Sequence, residues 1–191
     1  MFEEIRKYIE MNLSRSRLEH SLSTALICVE LCSRFGIDET KGRIAGIAHD
    51  ISRETPVDEK IISSIQDEYS ISKEEELNPV LLHGRIGASM LKLKFNLEDK
   101  EILQAIRWHT TGHPDMGELG QILFIADYIE PGRKHITNTI RASIMQLNLN
   151  EMTLRVLNDQ TAHLRESGCR ITESSMQLFE KLSNSGRLIK N

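Results

Sequence analysis

Cysteine, proline and glycine are sparse in this 191-residue sequence, and their scarcity excludes several kinds of protein. The three cysteines, Cys28, Cys32 and Cys169, are an odd number, and no second pair completes a four-thiolate zinc pattern. Cys28 and Cys32 are four residues apart on one predicted helical face, so we interpret them as buried free thiols. With only four prolines and eleven glycines, the chain has no low-complexity segment and no repeat of fixed period.

A basic excess is also missing. The chain has 28 acidic and 24 basic residues and a net charge of -4, which disfavours general binding to a nucleic-acid backbone. No run approaches the length of a membrane-spanning helix, and the N-terminal stretch MFEEIRKYIE is amphipathic and acidic, unlike a signal sequence. We therefore expect a soluble cytoplasmic protein with no nucleic-acid or membrane partner.

The sequence is rich in helical periodicity. Apolar residues from Leu18 to Cys32 recur at three- and four-residue steps, which predicts a helix from Ser16 to about Gly36. Asp38 is the expected N-cap of the next helix, which ends near the adjacent His-Asp pair at 49–50, before the break marked by Pro56. Similar patterns predict further helices over 57–69, 84–93, 97–108, 117–130, 137–147, 152–167 and 174–182.

Alternating strand patterns are missing. The stretch QILFIADYI is too long for a strand and carries no turn pair for a hairpin, so it predicts a buried helix. A chain of 191 residues is long enough to bury one substantial core. The fold class predicted is all-α, as a single domain.

Four histidines lie at the ends or on the faces of separate predicted helices. Two further features involve carboxylates: Asp50 follows His49 directly at the end of an apolar helix, and Asp127 interrupts an apolar run. A buried carboxylate needs a partner, because burying an unpaired charge is costly, and a metal cation would supply one. Two imidazoles and two carboxylates suit Fe, Mn, Co, Ni or Zn. From the spacing alone, a chance grouping of these residues is as open an interpretation as a metal site. The four histidines are His20, His49, His83 and His109, whereas we interpret His113, His135 and His163 as structural residues.

Longer motifs carry a family resemblance. The stretches RLEHSLSTA, AGIAHDISRE, LLHGRIGA, AIRWHTTG and ILFIADYIEPGR resemble, in that order, motifs of the HD-domain superfamily of metal-dependent phosphohydrolases. They are most similar to those of the YqeK-type bacterial symmetrical dinucleoside tetraphosphatases, and SGCRIT resembles a further family segment. The resemblance implies a helical bundle of the HD-domain type over residues 1–191, with a motif core at about 17–133 and C-terminal helices over 137–191 that complete the fold.

The resemblance also implies the site residues. It makes His20, His49, Asp50 and Asp127 the ligands of a divalent metal ion, iron or a similar ion such as Mn, Co, Ni or Zn. Cationic and hydroxyl donors are the groups expected around a tetraphosphate. The implied nucleotide site consists of His20, Ser23, Ser52, Arg53, His83, His109, Thr110, Arg133, Arg170, Ile171 and Thr172.

Two positions depart from the family pattern. Gln121 stands where relatives often have lysine, and we expect the lost charge to affect phosphate or subunit contacts. Arg53 replaces the lysine that often ends the HDxxK pattern, which keeps the charge and changes its geometry.

The implied reaction is hydrolysis of diadenosine tetraphosphate to two ADP by attack of a metal-bound hydroxide. Asp50 would hold the metal and orient the nucleophile, and His83 or His109 would protonate the leaving oxygen. In an alternative that stays open, these two histidines bind a second metal that Asp50 bridges. The glycine and threonine beside them in LLHG and WHTTG suit an anion and favour the role on substrate.

Other functions also stay open. The chain could be another HD-type nucleotide phosphohydrolase, such as a nucleoside monophosphatase or a cyclic-nucleotide phosphodiesterase, or a non-catalytic helical nucleotide sensor. The stretch IEPGR after Asp127 argues against the first, and four intact metal-ligand positions argue against the second. The sequence does not decide whether two chains pair as a homodimer.

Overall fold

The structure is a computed structural model that describes the backbone of residues 1–188 and the side chains of residues 1–184. Within this range the chain forms helices and no strand, so the all-α prediction is confirmed. Residues 189–191, at the end of the predicted domain, lie outside the described residues. No described helix is both long and apolar enough to cross a membrane.

Eleven α-helices and one short 3-10 turn follow one another along the described chain. The 3-10 turn covers Pro79–Leu82. The helices are α1 (Phe2–Asn12), α2 (Arg15–Phe35), α3 (Glu39–Ala48), α4 (Glu59–Ser63), α5 (Lys73–Leu77), α6 (His83–Phe95), α7 (Lys100–Trp108), α8 (Glu118–Ile129), α9 (Asn138–Ile144), α10 (Leu149–Glu166) and α11 (Glu173–Leu188).

Capping residues explain several helix boundaries. The Asp38 side chain accepts hydrogen bonds from the first backbone N–H groups of α3, which confirms the predicted N-cap. Gly36 ends α2 with a φ of 71°, a left-handed conformation that glycine adopts without strain. Asn148 and Glu151 form a reciprocal capping box, so α10 begins about one turn earlier than its apolar pattern predicts.

The helix predicted over residues 57–69 is wrong for most of its length. Only Glu59–Ser63 is helical, and irregular chain follows it. The cause is Arg85, a buried residue of α6 whose guanidinium group bonds both oxygens of Asp67 at 2.7 and 2.9 Å and reaches Glu75 at 3.0 Å. A buried cation requires such partners, and this demand overrides the helical periodicity of the segment.

The predicted buried helix QILFIADYI lies within α8 and is confirmed. Most of α8 is buried, and the helix packs against α2, α3, α7 and α10. Gln121 lies in this interior, where its Oε1 atom accepts a hydrogen bond from the Thr153 hydroxyl at 2.9 Å. The Gln121 side chain thus joins α8 to α10 inside the domain, and its expected effect on phosphate or subunit contacts stays a prediction.

A close approach of α3 to α2 sets the position of the His49–Asp50 pair. A Cβ atom added at Gly46 would lie 2.5 Å from the Cα atom of Ala25, and one added at Gly42 would lie 2.4 Å from the Cys32 sulfur. Glycine thus allows the two helix backbones to touch. As a result, the end of α3 lies directly beside His20 of α2.

We expect Gly46→Ala to destabilise the protein by about 1–3 kcal/mol, because the new methyl group meets backbone atoms that cannot move aside. This loss should outweigh the roughly 1 kcal/mol by which alanine is the better helix former. Chemical denaturation would measure it. Gly117→Ala, at the N-cap of α8, is the control for an added methyl group without a clash, since its Cβ would meet only the Gln104 side chain at 3.8 Å. Equal stability of both variants and the wild type would contradict the packing argument.

Candidate metal centre

Six side chains from five parts of the chain converge on one point. One comes from the second turn of α2 and one from the last turn of α8. One begins α6, one directly follows α7, and two lie in the turn after α3. All six belong to the residues that the sequence analysis selected. They are His20, His49, Asp50, His83, His109 and Asp127.

The first half of the cluster contains two imidazoles and two carboxylates. The Nε2 atom of His20 lies 3.1 Å from Nε2 of His49 and 3.0 Å from Oδ1 of Asp127. The Oδ2 atom of Asp50 lies 3.7 Å from Nε2 of His20 and 3.5 Å from Nε2 of His49. These are the four residues that the resemblance implies as metal ligands.

The second half of the cluster contains the other two imidazoles. The Nε2 atoms of His83 and His109 lie 3.0 Å apart, and they are 3.2 and 3.7 Å from Oδ1 of Asp50. The two oxygens of the Asp50 carboxylate therefore face two different pairs of histidines. The Thr110 hydroxyl lies beside this half, 3.3 Å from Nε2 of His83.

Three of the four histidines are oriented in the same way, by a hydrogen bond from Nδ1–H to the backbone carbonyl three residues earlier. A carbonyl oxygen only accepts, so the ring proton is fixed at Nδ1 and the Nε2 lone pair points into the cluster. These carbonyls lie in the last turn of a helix or in the 3-10 turn, where they lack a full set of partners. The bonds run from His49 to Gly46 (2.7 Å), from His83 to Val80 (2.6 Å) and from His109 to Ile106 (2.6 Å).

His20 lies inside a helix, and its ring is oriented by a side chain instead of a backbone carbonyl. Its Nδ1 atom is 3.1 Å from Oε1 of Glu130, a buried carboxylate that also accepts the Gly132 backbone N–H at 2.6 Å. Glu130 was not among the predicted site residues. The available signal was its position in IEPGR, three residues after Asp127, a stretch that was used only as a family motif.

Both carboxylates of the cluster are held in the ionised form. Burial opposes ionisation of Asp127, yet the neighbouring His20 and His49 imidazoles and the charge of Arg133 keep its pKa well below the ordinary value. Burial likewise opposes ionisation of Asp50, and the neighbouring imidazoles lower its pKa. Arg17 adds a hydrogen bond to Oδ2 of Asp50 at 2.7 Å.

This donor set fits a divalent transition-metal ion. Imidazole nitrogens with bare lone pairs and ionised carboxylates are ligands for Fe, Mn, Co, Ni or Zn, and without a cation they would repel one another at these distances. The two core thiols take no part. Burial raises the pKa of Cys28 well above its ordinary value and that of Cys32 to about 11, so they are inert members of the α2–α3 interface, as predicted.

A cavity of about 520 Å³ adjoins the cluster on the side of His83 and His109. We call it the threonine-side cavity, because Thr110, which contacts both histidines, forms part of its wall. Of the residues that the resemblance implies for nucleotide binding, Arg170 and Thr172 also line it. Thr172 contacts Ser175, which bonds the Thr111 carbonyl, so the segment after α10 is fixed against this wall.

The other predicted nucleotide residues are placed differently. The Ser52 hydroxyl is buried and donates to the His83 carbonyl at 2.6 Å, so it orients His83 instead of facing a cavity. Ile171 lines a groove between α10 and α11 that shares Thr161 and Ser175 with the threonine-side cavity. Ser23, one turn beyond His20, and Arg53, in the turn after Asp50, are both half-buried.

Comparison with known proteins identifies the class. The sequence model of the HD domain family matches residues 17–132, which is more than half of the chain and includes the whole cluster. A crystal structure from Clostridium acetobutylicum, described as a predicted HD superfamily hydrolase involved in NAD metabolism, superposes with a TM-score of 0.87. The two proteins are 31% identical, and the match covers 97% of this chain and 98% of that one. The chain belongs to the HD domain family of hydrolases.

Named relatives narrow the family further. Bis(5'-nucleosyl)-tetraphosphatase, symmetrical, from Bacillus subtilis is 35% identical over 69% of this chain and 70% of its own length. Proteins of the same name from Halalkalibacterium halodurans and Staphylococcus aureus are 33% and 31% identical, over 66% and 69% of this chain and 67% of each relative. Within the HD domain family, the chain groups with these symmetrical tetraphosphatases, which confirms the resemblance.

We expect Glu130→Gln to lower the affinity for a divalent metal about 10- to 100-fold, the usual effect of removing a carboxylate that orients a ligand histidine. Glutamine can still accept the His20 N–H, but it lacks the charge that makes the imidazole more basic. Competition with a chromogenic chelator would measure the affinity. Glu118→Gln, at the exposed start of the same helix, is the matched control. An unchanged metal affinity would mean that Glu130 only stabilises the turn at Gly132 and does not tune the metal site.

Proposed function

We propose that this protein hydrolyses diadenosine tetraphosphate symmetrically to two ADP, with a divalent metal ion, iron or a similar ion, at the cluster. The ligands in this proposal are His20, His49, Asp50 and Asp127. The observation that carries it is the convergence of bare imidazole nitrogens and ionised carboxylates beside a cavity large enough for a nucleoside. The names of the relatives support the choice of substrate.

A divalent ion supplies Lewis acidity when bound, which activates water and neutralises charge on a phosphate oxygen. The protein's own groups do the rest. Asp50 has one oxygen toward each half of the cluster, so it can hold the ion with one oxygen and orient the attacking water with the other. Attack on the second phosphorus from one nucleoside releases a nucleoside diphosphate, so both products are ADP.

The second histidine pair suits the protonation of the leaving oxygen. Both Nδ1 positions are committed to carbonyl oxygens, so a hydrogen bond between the Nε2 atoms of His83 and His109 requires one extra proton between them. Burial lowers the pKa of His83, which makes its protonated form a better acid. The Thr110 hydroxyl, 3.3 Å from Nε2 of His83, can hold the phosphate beside this proton.

Cationic side chains suit the tetraphosphate. Arg53 has no carboxylate within ion-pair distance in the described part of the chain, so its charge is available to phosphate. Arg133 bonds Asp127 and reaches the same edge of the cluster. Guanidinium groups bind phosphate oxygens through paired hydrogen bonds, which fits both positions.

Metal content distinguishes this scheme from a two-metal site, which the bridging position of Asp50 would also allow. With His83 acting on substrate, we expect His83→Ala to keep the metal-to-protein ratio of the wild type and lose turnover. Asp127→Ala should lose the metal while keeping most of its helical content. Elemental analysis and circular dichroism would measure both. Loss of metal from folded His83→Ala would defeat the single-metal proposal.

Product analysis tests the reaction itself. At an early time point, purified protein and diadenosine tetraphosphate should give ADP alone, and a chelator should abolish the reaction until metal is restored. Formation of ATP and AMP would contradict symmetrical cleavage. NAD and nucleoside monophosphates belong in the same substrate panel, because the Clostridium acetobutylicum neighbour is described as involved in NAD metabolism.

A further inference from the structure

A second cavity, of about 410 Å³, adjoins the metal centre. We call it the tyrosine-side cavity. It reaches the centre through Asp127 and Arg133, and it shares two lining residues of α10, Gln160 and His163, with the threonine-side cavity. The two cavities therefore meet at α10, and each adjoins the cluster, one through Thr110 and the other through Asp127. The remaining walls of the tyrosine-side cavity are Tyr128, His135 and Asp159.

The symmetry of the proposed cleavage calls for two such cavities. When the central bond of a dinucleoside tetraphosphate is broken, the reacting phosphorus lies near the middle of the molecule, and a nucleoside diphosphate arm of similar length extends to each side. Each arm ends in a nucleoside. A volume of about 410 Å³ lies within the range of small-molecule sites, about 300–1,000 Å³, and accommodates one nucleoside.

We propose that the tyrosine-side cavity is the subsite for the second nucleoside of the substrate, with the Tyr128 ring as its stacking surface. This proposal rests on the proposed function. None of Tyr128, His135, Asp159 or Gln160 was selected by sequence as a nucleotide contact. The sequence analysis interpreted His135 and His163 as structural, whereas the structure places both on the walls of these cavities.

The charges on the walls orient a nucleotide in one direction. Arg133 is the guanidinium group of this cavity and lies at the cluster, where the phosphates would be. Asp159 lies on the α10 wall, hydrogen-bonded to the Tyr128 hydroxyl at 3.4 Å and paired with Arg155 at 3.0 Å. A carboxylate repels phosphate but accepts hydrogen bonds from ribose hydroxyls or a base amine, and the Gln160 amide can both donate and accept.

Aromatic groups provide the remaining recognition. The rings of Tyr128 and His135 have centroids 5.7 Å apart at an angle of 66°, so they form two adjoining sides of the cavity. Stacking on such a ring is tolerant of base identity, because every base has a π-face. The cavity is thus suited to a purine nucleoside whose phosphates extend toward Asp127 and the metal.

A comparison of two substrates tests the subsite. Diadenosine tetraphosphate must place a nucleoside in each cavity, whereas adenosine 5'-tetraphosphate has one nucleoside and can leave the damaged cavity empty. We expect Tyr128→Leu to lower the ratio of kcat/KM for the dinucleotide to that for the mononucleotide by about tenfold, in line with the loss of one stacking contact. His135→Ala, which removes an exposed ring and leaves the core intact, should lower the ratio in the same direction.

Asn158→Ala is the matched control, since this residue neighbours Asp159 on α10 but faces the groove toward α11. Its ratio should equal that of the wild type. If both cavity variants change the two substrates by equal factors, or change neither, the second subsite is refuted while the proposed function stands. If the wild type hydrolyses neither substrate, the proposed function itself has failed.

Discussion

The arrangement of the centre depends on one hydrogen bond repeated at each histidine, from Nδ1–H to an oxygen that only accepts. Three of the acceptors are backbone carbonyls three residues earlier, and the fourth is the Glu130 carboxylate. Each bond turns a bare Nε2 atom inward. Because these electron-rich nitrogen and oxygen atoms would otherwise repel one another at such short distances, the cluster is complementary to a cation. Placing histidines at helix ends gives this orientation without any dedicated partner side chain.

Helix packing then brings those ends to a common point. Gly42 and Gly46 let α3 lie directly on α2, so the end of α3 arrives beside His20, which itself lies within the second turn of α2. The buried helix α8 supplies Asp127 in its last turn and Glu130 just beyond it. On the other side, the Arg85 ion pairs hold the irregular chain before α6 in place, next to the turn that accepts the His83 ring proton. Helix packing and these ion pairs therefore determine which side chains meet at the centre.

Sequence periodicity was sufficient to predict the helices that form the core, but it failed where long-range ion pairs determine the path of the backbone. The patterns of α2, α3 and α8 are apolar stripes or runs, and these helices were predicted, with Asp38 as the N-cap of α3 and Gly36 at the end of α2. Residues 64–69 were also predicted to be helical, but the buried guanidinium group of Arg85 bonds Asp67 and the Tyr69 carbonyl there, a long-range demand that no local pattern contains. Glu130 was missed for a related reason, since its partner lies 110 residues earlier in the chain. The side chains that the resemblance implies as metal ligands lie together in the structure, and the Ser52 hydroxyl bonds the backbone carbonyl of His83.

Charge balance links the metal to the proposed substrate. Three carboxylates, Asp50, Asp127 and Glu130, lie at the centre, and two guanidinium groups, Arg17 and Arg133, form ion pairs with them. In the proposed function, the carboxylates alone would repel a phosphate anion, and a divalent cation supplies the positive charge that attracts the anionic chain. The same carboxylates that would bind the ion therefore make phosphate binding depend on it.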